Sequence, residues 1–369
     1  MTSHLRITPF LILLCLFLGA ISILSAQQVP AFTLTGHVLD DSTGVPIENV
    51  NVYIANSTLG SPTDKLGIFR IRNVPVGTHE LVASIVGYVL KTAFISLTDS
   101  TQQVIQIRLK PKVLELGPVE VVGADPADWR KDLARFSESF FGNGPNADQC
   151  RFMNPEILSF TTDGSGTFEA RATGPLRIEN KALGYEVELQ LLTFIVGPRW
   201  LTYGWRAFYR EIPSVDDDQR AEWQKSRMKA YKGSLRHFLA SLVNGCTEKE
   251  GFSMYQVTNP RLSNSRMRMP VSEDEILSPG SVSNEKLLRF LDYLEVEFDS
   301  GPGIVWKSPR GSSAGGNSQI SWLQLARDYV TINSMGEYIE PYSLNVSGEW
   351  ALQRAADALP FDYSPAKNK

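Results

Sequence analysis

The sequence has few of the side chains that most often bind metals. Its 369 residues include three cysteines and four histidines, whereas a zinc or iron–sulfur site needs several such ligands close together. We therefore expect no metal and no other cofactor. Charge of either sign is not in excess, because 36 basic and 40 acidic residues give a net charge of −4. Nucleic-acid-binding proteins normally carry a basic patch or domain, so no nucleic-acid partner is expected.

Long hydrophobic runs are also missing, apart from one near the start. Residues 10–20 are apolar and follow Arg6. This run is shorter than the ~18 residues that a membrane-spanning helix needs, but it is typical of the apolar core of a secretory signal peptide. We therefore predict a signal peptide over residues 1–26, cleaved after Ala26, and no transmembrane helix in the mature chain.

Two alternatives to cleavage remain open. The apolar run can stay attached as an N-terminal anchor, or Cys15 can mark a lipoprotein. Leu13 and Leu14, however, lack the small residue that lipoprotein processing needs.

Export also affects the redox state expected for the other two cysteines. Cys150 and Cys246 would enter an oxidising compartment, where a disulfide is permitted. They are a disulfide candidate, and two buried free thiols are the alternative.

The composition is otherwise that of a folded protein. Hydrophobic residues make up 43% and charged residues 21% of the chain, which is close to ordinary globular usage. A chain of this length favours about two domains. We predict a β-sandwich over residues 30–110, a linker over 111–124 and a second domain over 125–369.

Residues 30–110 have the pattern of short strands. Segments such as 33–39, 50–54 and 68–72 alternate between apolar and polar residues with period two, as half-buried strands do. Clusters of Asp, Ser, Thr and Gly separate them, and these residues form tight turns. About seven such strands without a helical period predict an antiparallel sandwich.

Four motifs in this region resemble the carboxypeptidase regulatory-like domain. They are GHVLDDSTGVPIENVNVYI (36–54), TDKLGIFRI (63–71), VPVG (74–77) and SIVGY (84–88). The resemblance implies a transthyretin-like, seven-stranded all-β sandwich that is not itself catalytic. Such modules accompany some metallocarboxypeptidases and also begin TonB-linked outer-membrane receptors of Gram-negative bacteria. The resemblance thus implies a periplasmic or outer-membrane-associated protein of a Gram-negative cell envelope.

Residues 125–369 mix helical and strand patterns, which predicts an α+β domain. Asp125 and Pro126 form a helix start, and an aromatic stripe follows at helical spacing. Alternating segments predict strands between 157 and 194. The longest helix is predicted over residues 216–244. His237, within it, has no second metal ligand nearby along the helix and is interpreted as structural.

Aromatic residues are concentrated between 200 and 209. Trp200, Tyr203 and Trp205 are candidates for a ligand-binding surface, because aromatic rings at this density can line a carbohydrate site. The same rings can instead close one end of the domain core, and we favour this second interpretation.

Motifs for catalysis are scarce. Residues 311–315 match G-x-S-x-G, which would make Ser313 a nucleophile. That motif needs a buried strand before it and a helix after it, and the polar, Gly/Ser-rich neighbours fit neither. We therefore predict no catalytic residue and no enzyme.

Three hypotheses for function follow. The leading hypothesis is a non-enzymatic envelope protein in which the sandwich acts as an adaptor for a domain that binds an envelope protein or other ligand. The second is a peptidase or glycan-active hydrolase with the sandwich as an accessory. The third is a glycan-binding protein that uses Trp200, Tyr203 and Trp205.

Overall fold

The first third of the chain consists of short strands in two sheets. The computed structural model describes residues 31–98, 104–112, 126–258, 268–299 and 318–365. The predicted signal peptide, most of the predicted linker and Ser313 lie outside these residues. The described strands of this region are β1 (Ala31–Asp40), β2 (Asn51–Ile54), β3 (Gly60–Pro62), β4 (Ile68–Pro75), β5 (Gly77–Ser84), β6 (Lys91–Leu97) and β7 (Val104–Leu109).

The two sheets enclose an aliphatic core. One sheet has the order β4-β1-β7 and the other the order β3-β2-β5-β6. Every described pairing is antiparallel except that of β1 with β7, which is parallel. The alternating side chains of these strands, among them Val38, Val52 and Ile71, are buried between the sheets. Burial of one face of each strand is what the period-two pattern predicts.

Carboxylates form the turns of this region. The Asp64 side chain accepts hydrogen bonds from the backbone N–H groups of Leu66 and Ile68, both at 2.9 Å. Gly67 adopts the left-handed conformation there, with φ of 71°, which glycine tolerates best. Asp40 accepts backbone hydrogen bonds in the same way, and the Tyr88 hydroxyl donates to its Oδ2 at 2.9 Å. The turns predicted from the Asp and Gly residues are confirmed.

The middle of the chain is a helix packed on a sheet. Helix α1 (Pro126–Phe141) buries Phe136 and Phe140 against it, so the aromatic stripe faces the core. The strands of the sheet are β8 (Cys150–Phe152), β9 (Leu158–Thr162), β10 (Phe168–Ala172), β11 (Leu176–Asn180), β12 (Tyr185–Val196) and β13 (Leu201–Glu211). Their order is β8-β11-β12-β10-β9, with β13 also paired to β12.

The predicted single helix over 216–244 is wrong. The structure has two helices, α2 (Asp217–Tyr231) and α3 (Leu235–Val243). Gly233 between them has a φ of 76°, which ends a helix, and the Ser234 side chain accepts a hydrogen bond from the His237 backbone N–H to begin the next. A glycine followed by an N-cap serine is the sequence signal for such a break.

The last third adds two more sheets, so the described chain is mostly β. The elements of this part are β14 (Phe252–Val257), β15 (Met269–Pro270), α4 (Glu273–Ile276), β16 (Leu277–Pro279), β17 (Glu285–Leu288), β18 (Tyr293–Asp299), β19 (Ser318–Leu325), β20 (Val330–Asn333) and β21 (Leu344–Gly348). The strand orders of the two sheets are β15-β14-β18-β19-β21 and β16-β17-β20. Among the described helices, none is long and apolar enough to span a membrane.

The C-terminal segment 359–363 ties the sandwich to this last part. Phe361 is buried in the sandwich core and stacks on His79 at 5.6 Å between ring centroids. The Phe361 backbone N–H donates to the Asn56 carbonyl at 2.8 Å. Asp362 accepts hydrogen bonds from both the backbone N–H and the hydroxyl of Thr58.

Arg236 of α3 also holds this segment. Its guanidinium donates to the carbonyl oxygens of Pro360, Phe361 and Tyr363, and also to that of Met335. One cation therefore satisfies four carbonyl groups, which would otherwise lose their hydrogen bonds on burial. We call segment 359–363 with Arg236 the tail clamp.

The sandwich is also joined directly to β13. The Asn56 backbone N–H donates to the Ala207 carbonyl, and the Tyr209 N–H donates to the Ser57 carbonyl at 2.9 Å. Glu80 accepts a hydrogen bond from Arg206 at 2.7 Å in a mostly buried ion pair. The described residues from Ala31 onward accordingly form one compact unit.

Substitution of Arg236 tests the tail clamp. Arg236→Met keeps most of the aliphatic volume but leaves four carbonyls without their donor, so we expect a loss of about 3–5 kcal/mol in the free energy of unfolding. Arg220→Met is the control, because Arg220 is exposed and its partners, Asp217 and Ser214, lie within a few residues of it along the chain; its expected loss is below about 1 kcal/mol. Urea unfolding measures both, and equal losses would contradict the clamp.

The pH dependence of stability tests the burial of Glu337 beside the clamp. Burial raises the pKa of Glu337 from 4.5 to about 7, although the Asn333 amide donates to its carboxylate at 3.2 Å. The folded protein thus keeps a proton that the unfolded chain loses, so this contribution to stability is complete below pH 4.5 and is lost as the pH rises through 7.

Glu337→Gln removes that titration. The difference in unfolding free energy between the wild type and this variant should fall by up to about 3 kcal/mol across this pH range. Urea titrations at several pH values measure it, and a constant difference would show that Glu337 titrates normally.

Candidate functional site

The predicted aromatic surface lies on the hairpin of β12 and β13, where its three rings differ in exposure. Tyr203 and Trp205 are on one face of β13, stacked at 5.1 Å between centroids. Trp205 also contacts Phe140 of α1 at 5.5 Å. These two rings therefore pack against the core between the helix and the sheet, as the core-closing interpretation predicts.

Trp200 has a different environment. It ends the turn between β12 and β13, where the Gly197 N–H donates to its carbonyl at 2.9 Å. Its indole lies over Gly197 so closely that a Cβ there would come within 2.3 Å of the ring. The side chain is 50% exposed. Trp200 is thus the exposed member of the three, whereas Tyr203 and Trp205 are partly buried.

Two exposed rings near the hairpin were not identified from the sequence. Tyr342 lies over Gly204, and its hydroxyl donates to the Thr193 hydroxyl at 3.2 Å. Tyr338 is 40% exposed and Tyr342 46%. Both residues are in an irregular segment far from β12 and β13 in sequence, so spacing along the chain gave no signal for them.

A cleft of about 440 Å³ lies between the sandwich and β13. Its apolar wall includes Phe208, which stacks on Tyr53 at 5.0 Å. A polar cluster forms one rim, where Glu188 Oε2 lies 3.3 Å from an Arg210 Nη2 and 3.5 Å from the Asn51 Nδ2. The residues that line it are Asn51, Thr58, Gly60, Ser61, Pro62, Phe208, Tyr209, Arg210 and Glu211.

Tyr53 lies behind the wall of this cleft. Its side chain is fully buried, and its hydroxyl has no hydrogen-bond partner among the described residues. Burial, reinforced by Glu188, raises the pKa of this phenol. It therefore stays protonated at neutral pH and cannot serve there as a base.

Both described cysteines are free thiols. The Cys150 thiol donates to the Asn146 carbonyl and that of Cys246 to the Ser241 carbonyl. Burial raises the pKa of Cys150 to about 12, and burial with the nearby Glu250 carboxylate raises the pKa of Cys246. The thiolate is the reactive form of cysteine, so neither residue has the environment of a nucleophile. The free-thiol alternative is the one that the structure contains.

His237 is buried and held by two neighbours. Its Nδ1 accepts a hydrogen bond from the Gly233 N–H at 3.1 Å, and its Nε2 lies 3.3 Å from Glu250 Oε2. Burial lowers the pKa of this imidazole. The neutral ring thus joins the start of α3 to the loop before β14, in keeping with the structural role predicted from the sequence, although Glu250 as its partner was missed.

Comparison with known families confirms the resemblance found in the first third of the chain. Residues 34–121 match the family model of the CarboxypepD_reg-like domain. This segment is therefore a carboxypeptidase regulatory-like domain. The four motifs quoted above fall within the matched residues. No curated protein matches the chain.

Solved structures give only a distant likeness. One is titled a "putative carbohydrate binding protein" from Bacteroides uniformis, with 13% identity over 50% of this chain and 75% of that chain, and a TM-score of 0.19. Another is a DUF3823 family protein from Parabacteroides merdae, with 11% identity, 53% and 87% coverage, and a TM-score of 0.19. TM-scores this low do not show a shared fold.

Alanine substitutions distinguish the core rings from the exposed ring. Trp205→Ala removes a ring that packs on Phe140 and Tyr203, so we expect a loss of about 2–4 kcal/mol in unfolding free energy. Trp200→Ala, on the same hairpin, should change it by less than about 1 kcal/mol. Urea unfolding with tryptophan fluorescence measures both, and the reverse order would contradict the packing described here.

Proposed function

We propose that this protein is a non-enzymatic, exported protein of the cell envelope, in which a seven-stranded sandwich is an adaptor built into an α+β part that binds a partner or ligand. The observation that carries the proposal is that β13 presents two different surfaces, one at each end of the strand. Its Phe208–Glu211 end forms an open cleft with the sandwich, and its Tyr203–Gly204 end lies beside exposed tyrosine rings. Surfaces of this kind suit binding.

The chemistry of the described side chains supports binding over catalysis. A catalytic thiol needs a lowered pKa and a nearby base, whereas burial raises the pKa of both Cys150 and Cys246. The imidazole of His237 has its Nδ1 occupied by the Gly233 N–H and its Nε2 directed at Glu250. Neither nitrogen is left to serve a substrate.

Rigid attachment supports the adaptor role. The sandwich is joined to the rest by backbone hydrogen bonds to β13, by the Glu80–Arg206 ion pair and by the tail clamp. A module attached at several buried points holds the binding surfaces in a fixed orientation. A sandwich on a flexible tether would instead move independently of them.

Cell fractionation tests the export half of the proposal. The chain expressed in a Gram-negative host should be found in the envelope fraction, and a variant without residues 1–26 should stay in the cytosol. Immunoblots against a cytosolic and a periplasmic marker measure the distribution. A full chain that remains cytosolic would contradict export.

Enzyme assays test the other half. The purified protein should release no product from a casein digest or from peptidoglycan above the level of a heat-inactivated sample. Hydrolysis that a single substitution abolishes, with Cys246→Ser and Ser313→Ala as the first variants, would contradict the non-enzymatic assignment and favour the hydrolase alternative.

A further inference from the structure

Tyr342 has a backbone conformation that its side chain disfavours. It follows Pro341 in a turn in which the Ser343 hydroxyl donates to the Glu340 carbonyl at 2.6 Å, and its φ is 60°. Glycine or asparagine is the usual residue in the left-handed position of a turn. A bulky residue kept there stores strain, and such strain is concentrated at functional sites.

The strained turn places the phenol of Tyr342 against the β12–β13 hairpin. The hydroxyl reaches Thr193 on β12 at 3.2 Å, and Gly204, the cross-strand partner of Thr193, leaves room for it. A Cβ at Gly204 would come within 2.5 Å of that hydroxyl oxygen. The ring nevertheless stays 46% exposed, so burial of apolar surface does not account for the strain.

Tyr338 adds a second exposed ring beside this one. Partial burial, together with the nearby phenols of Tyr203 and Tyr342, raises the pKa of Tyr338 to about 12. The Arg354 guanidinium lies 5.9 Å from the centre of the Tyr203 ring. We call Tyr338, Tyr342 and Thr193 the tyrosine surface; its hydroxyl groups can both donate and accept hydrogen bonds.

We propose that the tyrosine surface binds a neutral glycan, a proposal that rests on the binding function above and names its ligand class. The exposed ring faces would pack on the C–H faces of a sugar, while the phenol and threonine hydroxyls would pair with sugar hydroxyls. An aliphatic protein surface would cover the same hydroxyl groups without pairing them, and unpaired buried polar groups are costly. The polar rims of the rings therefore favour a polyol.

Calorimetric titration with neutral oligosaccharides tests the proposal. The probes are maltohexaose, cellohexaose and chitohexaose, each added to the purified full-length protein. At least one should bind with a Kd in the millimolar range or below. Tyr338→Ala and Tyr342→Gly should each weaken that binding by about tenfold or more, because one ring face is lost in each.

The stability of Tyr342→Gly and one further variant make the result specific. Tyr342→Gly relieves the left-handed strain, so it should fold with an unfolding midpoint close to that of the wild type. Trp200→Ala is the matched control, since it removes a half-exposed ring from the tip of the same hairpin but not from the tyrosine surface. Its affinity should equal that of the wild type. Equal weakening by Trp200→Ala, or no binding of any probe, would overturn the proposal.

A photo-crosslinking arm separates this proposal from the broader one. A photoreactive amino acid at position 342 is used in envelope preparations. Saccharide-bearing adducts support the glycan site. A single protein adduct without saccharide overturns the glycan site but leaves the proposed binding function standing, and failure of the chain to reach the envelope contradicts the proposed function alone.

Discussion

The described architecture depends on how segment 359–363 is held between two parts of the chain. Phe361 enters the sandwich core, while the guanidinium of Arg236 on α3 satisfies the carbonyls around it. A polar backbone in a buried position needs partners, and here one cation and the Asn56 carbonyl supply them. The regulatory-like sandwich is consequently an integral part of a larger body, and the β12–β13 hairpin has a fixed position beside it.

That arrangement explains why surfaces lie where they do. Strand β13 is long enough to contact the sandwich at Ala207 and Tyr209 and to extend beyond it at Tyr203. The end of β13 that contacts the sandwich lines the cleft. The end that extends beyond the sandwich carries Gly204, over which Tyr342 lies. One strand thus presents two distinct surfaces. Burial keeps the Cys150 and Cys246 thiols protonated and the His237 ring neutral, and these uncharged groups suit packing.

Much of the fold was predictable from the sequence, because it rests on local signals. The alternation of apolar and polar residues predicted β1, β2 and β4, and turn-forming Asp64 and Gly67 predicted the turn before β4. The four regulatory-like motifs identified the module. The break at Gly233 and Ser234 was missed, since the apolar stripe continues across it and suggested one helix, although capping residues stood between the halves.

The candidate site was predicted only in part, for a physical reason. Aromatic density pointed to the β12–β13 hairpin, but which rings point inward depends on α1 packing against β13, a contact between residues about 65 positions apart in the chain that no local pattern reveals. Tyr338 and Tyr342 reach the hairpin from more than about 130 residues away. The partial burial of Arg236 likewise depends on the tail, which contributes nothing to the helical pattern of α3.

Differential scanning calorimetry of the purified protein tests the central claim most directly, since a sandwich built into the larger body should unfold with it. The account predicts one transition, with a calorimetric enthalpy equal to the van't Hoff enthalpy. Two separable transitions, one of them matching an isolated sandwich, would show that the module is merely tethered and would contradict the account.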